Sequence, residues 1–443
     1  TEKPGSHNTG DYMEQSLDIL HNKLREIKRD NNNKTTDIEL IQEKIQATLP
    51  KVDTGCSLPQ KKTPAGRTKV LHMNYMQSQT DKTGKTEIAH LLFFAKTSRD
   101  LGLRLEILTD KNCRKDIEQN LANEDYKTLD YSITENQSPV SKWAEDSVEF
   151  LKNGQIAVLQ QFNNELLEQA MTKGRRQRWQ GKITPENLEE ALRDDHLWVL
   201  LGIQVNTDKM AVTWEHVAQS NGMGVGHIRA YIEGGNMITG EDANGDSIIL
   251  VGKDALAATA HIYQLSNNAV RRLICEDFGL DSVEQVICVE QPGKFHLDMG
   301  LLFIGHGVVV VNNSSEALKD ATEMAEMVPC LTTEKMAAKL KLRCSLEDDA
   351  ANDLAAAGLD VRRERLENDA FYNFFNGEFV EGQDGENYYI TNGGPRAEEE
   401  RFETLMTANW NSVKKVFFSP VDAAQKSLQE RGGVGCRLKG SPP

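Results

Sequence analysis

Residues 146–160, DSVEFLKNGQIAVLQ, decide the fold class of this chain. Two short runs that mix apolar and polar residues flank the pair Asn153-Gly154. An Asn-Gly pair between apolar runs is a strong signal for a tight turn, because the central residues of that turn need a positive φ. The stretch therefore predicts two antiparallel strands joined by a short turn.

The same hairpin pattern recurs along the chain, and a helical period and a further apolar run follow most copies. The copies begin near residues 69, 146, 236, 297 and 371, with opening strands expected at 297–304 and 371–380 in the last two. The expected helices cover residues 86–99, 255–278, 315–326, 346–357 and 397–409. Five copies of strand, strand, helix and strand predict an α/β fold whose units repeat around a central axis.

Two regions fall outside the repeat. Residues 1–62 carry helical periodicity at 13–29 and 36–49, which predicts a helical hairpin extension before the main domain at 63–443. Residues 162–222 contain several more helical stretches and predict an insertion in the second unit. Either region offers a surface to a protein partner.

Composition limits the classes of function. The chain has 443 residues, of which 39% are hydrophobic and 27% are charged, so it can bury a large core. Its net charge of -16 disfavours nucleic acid and anionic membranes and favours cationic ligands. The apolar stretches are too short to span a bilayer. We therefore expect no nucleic acid or membrane as a partner.

Cysteine usage indicates a reducing compartment and singles out one thiol. The seven cysteines include no Cys-x-x-Cys pair, so no zinc cluster is predicted, and their odd number and low density favour a cytoplasmic location. Cys436 differs from the others because it lies in the run GGVGC, after the last expected strand. The glycines allow a ligand to approach the backbone closely. The alternative is a free thiol in a terminal tail.

A histidine and two carboxylates can serve the same chemistry as this thiol. His296 and Asp298 are two residues apart at the start of an expected strand, where such residues share one face. Asp146 begins the hairpin of residues 146–160. Carboxylates bind the planar guanidinium cation through paired hydrogen bonds. A thiolate can then attack the cation's carbon while an imidazole moves protons.

Four motifs, taken in order, resemble the motif series of the arginine deiminase superfamily, the pentein or guanidino-group-modifying enzymes. They are WAED at 143–146, EGGN at 233–236, HLD at 296–298 and GGVGC at 432–436. The segment 141–150 is most similar to peptidylarginine deiminases, and the segment 387–405 together with the late cysteine resembles agmatine deiminases. The resemblance covers residues 65–443 in pattern. It implies a five-bladed ββαβ propeller, preceded here by the N-terminal helical extension.

The resemblance also implies a role for each motif residue. Cys436 is expected to be the nucleophile, His296 the general acid and base, and Asp146 and Asp298 the clamp that holds the guanidinium. The expected substrate-binding and supporting residues are Trp143, Glu233, Gly234 and Asn236. Glu233 is expected to steady His296. Trp143 is expected either to stack on the cation or to pack in the core.

The implied reaction converts an arginine-type guanidinium into a ureido group, with release of ammonia through a covalent thiouronium on Cys436. The substrate is expected to be a small molecule or an arginine in a protein, which would become citrulline. Amidinotransfer and a non-catalytic binding scaffold on the same fold stay open as alternatives. A papain-like hydrolase is disfavoured, because its cysteine would come early in the chain. Secretion into a host cell as a bacterial effector is an alternative location.

The sequence departs from the family pattern at two positions. Gly435 precedes the cysteine where many relatives carry histidine, and Glu145 precedes Asp146 where relatives acting on free arginine or agmatine carry arginine. We expect no required cofactor and no metal ligand at the site. Calcium dependence stays open, because the calcium-binding carboxylates of peptidylarginine deiminases are matched only by Glu145 and Glu149, with Ser147 between them.

Overall fold

The computed structural model describes residues 57–76, 84–127, 131–136, 140–160, 214, 216–263, 265–292, 296–368 and 371–442. Both expected helices of the N-terminal extension lie outside the described residues. The expected insertion also lies outside them from residue 162 to residue 213. Within the described ranges, no helix combines the length and the apolar character that a membrane span requires.

The described chain folds into short strands and helices of varied length. The strands, in chain order, are β1 Val70–Tyr75, β2 Arg104–Asp110, β3 Tyr131–Asn136, β4 Val148–Phe150, β5 Ile156–Gln160, β6 Val225–Tyr231, β7 Met237–Glu241, β8 Ser247–Gly252, β9 Val286–Val289, β10 Leu301–Gly305, β11 Val308–Asn312, β12 Asp360–Glu364, β13 Glu367–Asn368, β14 Tyr372–Asn373, β15 Gly377–Glu381, β16 Asn387–Thr391, β17 Lys415–Phe418 and β18 Leu438–Ser441. The α-helices are Lys85–Leu101, Arg114–Asn123, Lys253–Tyr263, Asn267–Asp277, Ser315–Met327, Leu331–Ala356, Arg396–Thr404, Val421–Gln429 and Val434–Arg437.

Four of the small mixed sheets share one design. In each, two antiparallel strands form a hairpin and a third strand lies parallel to the second; the sheets are β4-β5-β6, β7-β8-β9, β10-β11-β12 and β15-β16-β17. In the last three, helices connect the second strand to the third, because a parallel connection must cross back over the sheet. The predicted order of strand, strand, helix and strand is confirmed for these three units.

The hairpin of residues 146–160 forms as the sequence predicts. β4 and β5 pair antiparallel, with Val148 opposite Val158. Gly154 adopts a φ of +79°, and the side chain of Asn153 accepts a hydrogen bond from the backbone N–H of Gln155 at 3.1 Å. The turn therefore depends on local chemistry that is visible in the sequence.

The C-terminal end of the chain completes the first unit. β18 pairs antiparallel with β1, with Val70 opposite Ser441, and β1 pairs parallel with β2. β18 thus supplies the hairpin strand that the first unit lacks. The expectation that Cys436 follows the last strand is wrong, because the cysteine lies just before β18. The sequence LKGS at 438–441 has no apolar alternation, and pairing with β1 makes it a strand.

Three expected boundaries differ from the structure. The helix expected at 255–278 is two helices, because Ser266 caps the second one by accepting a hydrogen bond from the backbone N–H of Ala269. The helix expected at 346–357 begins much earlier, at Leu331. The strand expected at 371–380 is interrupted between β14 and β15, where Asn373 accepts hydrogen bonds from the backbone N–H groups that follow it.

The core lies between the sheets and the helices that connect their strands. In the third unit, Ile249 and Val251 of β8 are fully buried in a cluster that includes Val270 and Ile274 of the helix Asn267–Asp277. The start of each hairpin has the opposite character, because polar side chains are buried there. The candidate site lies at this end of the units.

Candidate active site

Each of the five units begins its hairpin with a buried or half-buried side chain that can do chemistry or form hydrogen bonds. These side chains are Asp146 before β4, Asn236 before β7, Asp298 before β10, Asn376 before β15 and Cys436 before β18. They come from distant parts of the sequence and occupy equivalent places in a repeated design. Each unit therefore contributes one side chain to the site, from the same position in the repeat.

Cys436 is part of the folded core. It lies in the short helix Val434–Arg437, and only 3% of its surface is exposed. It packs in one apolar cluster with Met299 and Trp143. Its backbone carbonyl accepts a hydrogen bond from the N–H of Glu145 at 3.3 Å. The alternative of a free thiol in a tail does not apply to this chain.

Asn376 connects the thiol to Asp298. Its Nδ2 donates a hydrogen bond to Sγ of Cys436 at 3.3 Å and another to Oδ2 of Asp298. Its Oδ1 accepts a hydrogen bond from the backbone N–H of Cys436 at 3.2 Å. The thiol itself lies 3.8 Å from Oδ2 of Asp298. Oδ1 of Asp298 is buried and receives no hydrogen bond from a donor in the described part of the chain, so a ligand can bond to it.

The imidazole of His296 pairs with Glu233. Nε2 of His296 lies 2.5 Å from Oε2 of Glu233. A Cβ atom at Gly235 would lie 2.5 Å from Nδ1 of His296 and 3.1 Å from Oδ1 of Asp298. The lack of a side chain at Gly235 therefore lets the imidazole and the Asp298 carboxyl group come close together.

The prediction that His296 and Asp298 share one face of a strand is wrong. Leu297–Met299 form a single 3-10 turn, closed by a hydrogen bond from the N–H of Gly300 to the carbonyl of Leu297, and β10 begins only at Leu301. The two side chains meet because this turn packs against Gly235. Strand periodicity plays no part in their meeting.

The groups around Asp146 and His296 influence each other's protonation. Burial raises the pKa of Asp146 to about 7, and the neighbouring Glu233 carboxylate adds to the increase. Burial lowers the pKa of His296, although Asp146 and Asp254 oppose the shift. The imidazole is therefore neutral near pH 7, and Asp146 changes its charge in the same range.

The surroundings of the thiol and of Asp298 favour the protonated form of both groups in the ligand-free protein. Burial, together with the Asp298 carboxylate, raises the pKa of the Cys436 thiol well above its usual range. Burial and the nearby Glu145 raise the pKa of Asp298 as well. A bound cation stabilises the charged form of each group and reverses both shifts. The site is thus electrostatically suited to a cation.

Trp143 already lies close to cations of the protein itself. Nζ of Lys142 lies 4.8 Å from the ring centroid, and the guanidinium carbon of Arg437 lies 5.2 Å from it. Arg437 is held in place by an ion pair with Glu87 at 2.6 Å. Trp143 therefore packs both against the thiol cluster and against these two cations.

The other two predicted binding residues shape the turn at 233–236. Asn236 is fully buried and donates a hydrogen bond to Asp254 at 2.6 Å. A Cβ atom at Gly234 would lie 1.9 Å from the carbonyl oxygen of Glu145, so the chains approach too closely for any side chain. Both residues fix the turn that carries Glu233 next to the imidazole.

Sequence reasoning missed two residues of the site. Asn376 had a signal, because it precedes β15 as Asn236 precedes β7. Lys62 had none, because it lies in a polar segment outside the repeat. Its Nζ lies 2.5 Å from Oε1 of Glu145, which brings an internal cation to the acidic cluster.

Comparison with known proteins identifies the fold. No family model and no curated protein matches the sequence. A crystal structure from structural genomics, provisionally named an agmatine deiminase, is similar with a TM-score of 0.54 at 13% identity, over 89% of this chain and 98% of that chain. The chain has the pentein fold. The apo structure of ArgZ, an arginine dihydrolase from the ornithine-ammonia cycle in cyanobacteria, also matches, with a TM-score of 0.31 at 12% identity, over 77% of this chain and 39% of that one.

The chain carries glycine before its cysteine for a steric reason. A Cβ atom at Gly435 would lie 2.8 Å from the backbone nitrogen of Gly377, the first residue of β15. Backbone atoms cannot swing aside as a flexible side chain can. A histidine at this position therefore has no room in this backbone.

Within the described residues, a group of donors at the candidate site could hold a metal ion. Ligand atoms of Glu145, Asp298 and Cys436 all lie within 4.8 Å of one another. The set does not suit calcium, because calcium takes six to eight oxygen ligands and this group includes a sulfur. The ammonium of Lys62 also bonds to Glu145, so a cation already stands beside one of the three donors.

Proposed function

We propose that this chain is a guanidino-group-modifying hydrolase, a deiminase, in which Cys436 is the nucleophile and His296 the general acid and base. The observation that carries the proposal is the buried contact of the thiol with Asn376 and Asp298, close to the pair of His296 and Glu233. These residues come from four separate stretches of the chain, and the fold brings them together.

The proposed substrate class is a cationic guanidino compound. Asp146 and Asp298 are carboxyl groups whose pKa burial raises, and a guanidinium supplies the positive charge that ionises them. Agmatine, the compound in the provisional name of the similar structure, carries this head group. Free arginine and arginine in a protein carry it too, and all three belong to the proposed class.

The proposed chemistry proceeds in two halves. As the cation binds, it stabilises the thiolate, and the thiol proton passes to His296, which Glu233 orients at 2.5 Å. The sulfur forms a bond to the guanidinium carbon, and His296 returns the proton to the nitrogen that leaves as ammonia. Water, deprotonated by His296, then adds to the thiouronium carbon. The C–S bond breaks as His296 returns that proton to the sulfur, and the remaining hydroxyl proton passes to solvent to leave the neutral ureido group. One water is consumed and one ammonia released for each ureido group formed.

We further propose that the units form the five blades of a ββαβ propeller and that the reaction needs no cofactor. Two features support the propeller: side chains from three different units contact each other at Asn376, and β18 joins the end of the chain to its first unit. Amidinotransfer would use the same thiouronium, with an amine in place of water. Analysis of the products separates that alternative from hydrolysis.

Selective alkylation of Cys436 tests the proposed site. We expect 2-chloroacetamidine, a guanidinium mimic, to label Cys436 about tenfold or more faster than iodoacetamide, because one charge-assisted hydrogen bond to a carboxylate is worth about 1.5 to 3 kcal/mol. Peptide mass spectrometry locates and times the adduct. Cys330, which is exposed at the start of the helix Leu331–Ala356, serves as the control and should show no preference. Even labelling of the cysteines, or an unchanged Cys436 rate in Asp146→Ala, would contradict the site.

Turnover itself is tested by mass spectrometry with free arginine, agmatine and arginine-containing proteins, each with and without calcium. A ureido product with release of ammonia supports the deiminase proposal. Transfer of the amidino group to an added amine would indicate amidinotransfer. Tight binding of a guanidino compound with no product in any arm would favour the binding scaffold.

A further inference from the structure

Lys62 is largely buried at the candidate site, although it belongs to the segment that precedes the first strand. Its Nζ donates hydrogen bonds to Oε1 of Glu145 at 2.5 Å and to the backbone carbonyls of Gly234 and Met237, both at 2.9 Å. An ammonium group has three hydrogens, so these bonds use all of them. The lysine thus joins the Glu145 side chain to both ends of the turn at 234–237.

Backbone hydrogen bonds hold the segment around Lys62 in place. The N–H of Gln60 donates to the carbonyl of Phe150 in β4 at 2.7 Å, and the N–H of Lys62 donates to the carbonyl of Thr239 in β7 at 2.9 Å. The hydroxyl of Thr239 donates back to the carbonyl of Gln60. The segment is therefore attached to the first strands of two neighbouring units, and this attachment aims the lysine.

The ammonium compensates a crowded set of acidic groups. It also lies 3.6 Å from Oε1 of Glu149. Burial favours the neutral form of Glu145, but the positive charges of Lys62 and Lys439 outweigh that effect and lower its pKa. Of this neighbouring pair, the surroundings therefore favour the ionised form of Glu145 and the protonated form of Asp298. The other titratable groups that face the ammonium are Asp146, His296, Asp298, Glu378 and Lys439.

We propose that Lys62 is a positioning residue for the deiminase reaction: its ammonium ties Glu145 to the turn that carries Glu233 and Asn236, and it balances the carboxylates when the substrate cation enters. This inference rests on the proposed function. Without Lys62, Glu145 and Asp298 stand side by side with less positive charge around them. Asp298 then gives up its proton only at a higher pH, and the clamp for the cation is weaker at neutral pH.

Two adjacent lysines provide the test and its control. Lys61 is of the same type, but its Nζ lies 3.4 Å from the carbonyl oxygen of Gly245 and 3.5 Å from Glu241, at the turn of a hairpin. We expect Lys62→Met to lower kcat/KM about tenfold to a hundredfold, the range for losing a hydrogen bond to a charged group. We also expect the acidic limb of its pH profile to move to higher pH. Lys61→Met should stay within about twofold of the parent, because its ammonium bonds to Gly245 and Glu241 and not to Glu145.

A double variant separates this role from a purely structural one. If Lys62 acts through Glu145, then Lys62→Met should change kcat/KM by no more than about twofold in a Glu145→Gln background, since pairs that act together are not additive. A loss as large as in the parent background would overturn the inference. Thermal unfolding shows whether Lys62→Met folds. If it does not fold, the double variant is compared with Glu145→Gln alone, because in that background no Glu145 carboxylate is buried without its ammonium partner.

The outcomes distinguish this inference from the proposed function. If the parent turns over a guanidino compound and Lys62→Met matches Lys61→Met in rate and pH profile, the role of Lys62 is wrong and the deiminase function stands. If the parent neither turns over any such compound nor shows the preference for 2-chloroacetamidine at Cys436, the proposed function is wrong and the role of Lys62 falls with it.

Discussion

The two ends of the repeated hairpins use glycine for opposite reasons. At the turns, Gly154, Gly245 and Gly385 have a positive φ, and no atom lies within 4 Å of the place where a Cβ would stand. At the starts, Gly235 and Gly435 do not have a positive φ, but a Cβ there would lie 2.5 to 2.8 Å from neighbouring atoms. The turns need glycine for its backbone freedom, and the starts need it for space.

This difference separates the part of the unit that makes the fold from the part that makes the site. At the turns of Gly154, Gly245 and Gly385 there is open space around the glycine, so the local dihedral angles limit which residue fits there. The start of a hairpin packs against other units. Which side chain fits there therefore depends on several residues that are distant in sequence. Substitutions at the starts should therefore affect turnover, and matched substitutions at the turns or on the surface should affect stability alone.

The largest effect is expected for Cys436→Ala. This variant should have no measurable turnover, because the nucleophile is gone, yet it should still bind a guanidino ligand, because Asp146 and Asp298 remain. Ammonia release and isothermal titration measure the two properties. Cys330→Ala, at an exposed thiol, is the control and should behave as the parent does. Residual turnover in Cys436→Ala would exclude a thiouronium on this residue.

Asp298→Asn should weaken ligand binding about tenfold to over a hundredfold, because a charge-assisted hydrogen bond is worth about 1.5 to 3 kcal/mol. Asparagine keeps the size of the acid but cannot ionise when the cation enters. The matched control is Asp242→Asn at a turn, where the side chain accepts hydrogen bonds from the backbone N–H groups of Asn244 and Asp246 and from the side-chain amide of Asn244. Equal affinity of Asp298→Asn and the parent would remove Asp298 from the clamp.

Gly435→Ala and Gly154→Ala compare the two kinds of glycine directly. The first should cost about 1 to 3 kcal/mol of unfolding free energy through overpacking and should reduce turnover, because it displaces Cys436. The second should cost about 1 kcal/mol through its positive φ and should leave turnover unchanged. Chemical denaturation and steady-state rates measure both variants. If Gly154→Ala lost as much turnover as Gly435→Ala, the proposed difference between the starts and the turns of the hairpins would be wrong.

The smallest effect is expected for Glu378→Gln, in the hairpin of β15 and β16. Burial, together with Glu145, raises the pKa of Glu378 from its usual 4.5 to about 8. The folded state therefore holds this proton more tightly than the unfolded state does, and its contribution to stability is lost as the pH rises from 4.5 to about 8. Between these two pH values, the Tm of Glu378→Gln should therefore fall by a few degrees less than the Tm of the parent.

The control for this prediction is Glu386→Gln at the exposed turn of the same hairpin. It should keep the parent's dependence of Tm on pH. If Glu378→Gln and Glu386→Gln have the same pH dependence, Glu378 does not hold a proton of its own in the folded protein.

Much of the fold was predictable because its signals are local. The Asn153-Gly154 turn and the strands around it depend on residues a few positions apart, and so do the hairpins that follow. The helix Leu331–Ala356 shows the limit of such signals. Its first half is mostly exposed, so it needs no continuous apolar face, and its periodicity gave no sign of where it begins.

The sequence by itself determined which hairpins form and which motif residues carry reactive groups. Only the tertiary structure decided that residues 438–441 form a strand, because the edge of β1 supplies its hydrogen bonds. It also decided that Asn376 bonds to Cys436 and that Lys62 reaches Glu145, across 60 and 83 positions of sequence. Such pairs leave no periodic pattern along the chain. They exist because separate units bury their polar ends against one another, where each buried donor and acceptor needs a partner.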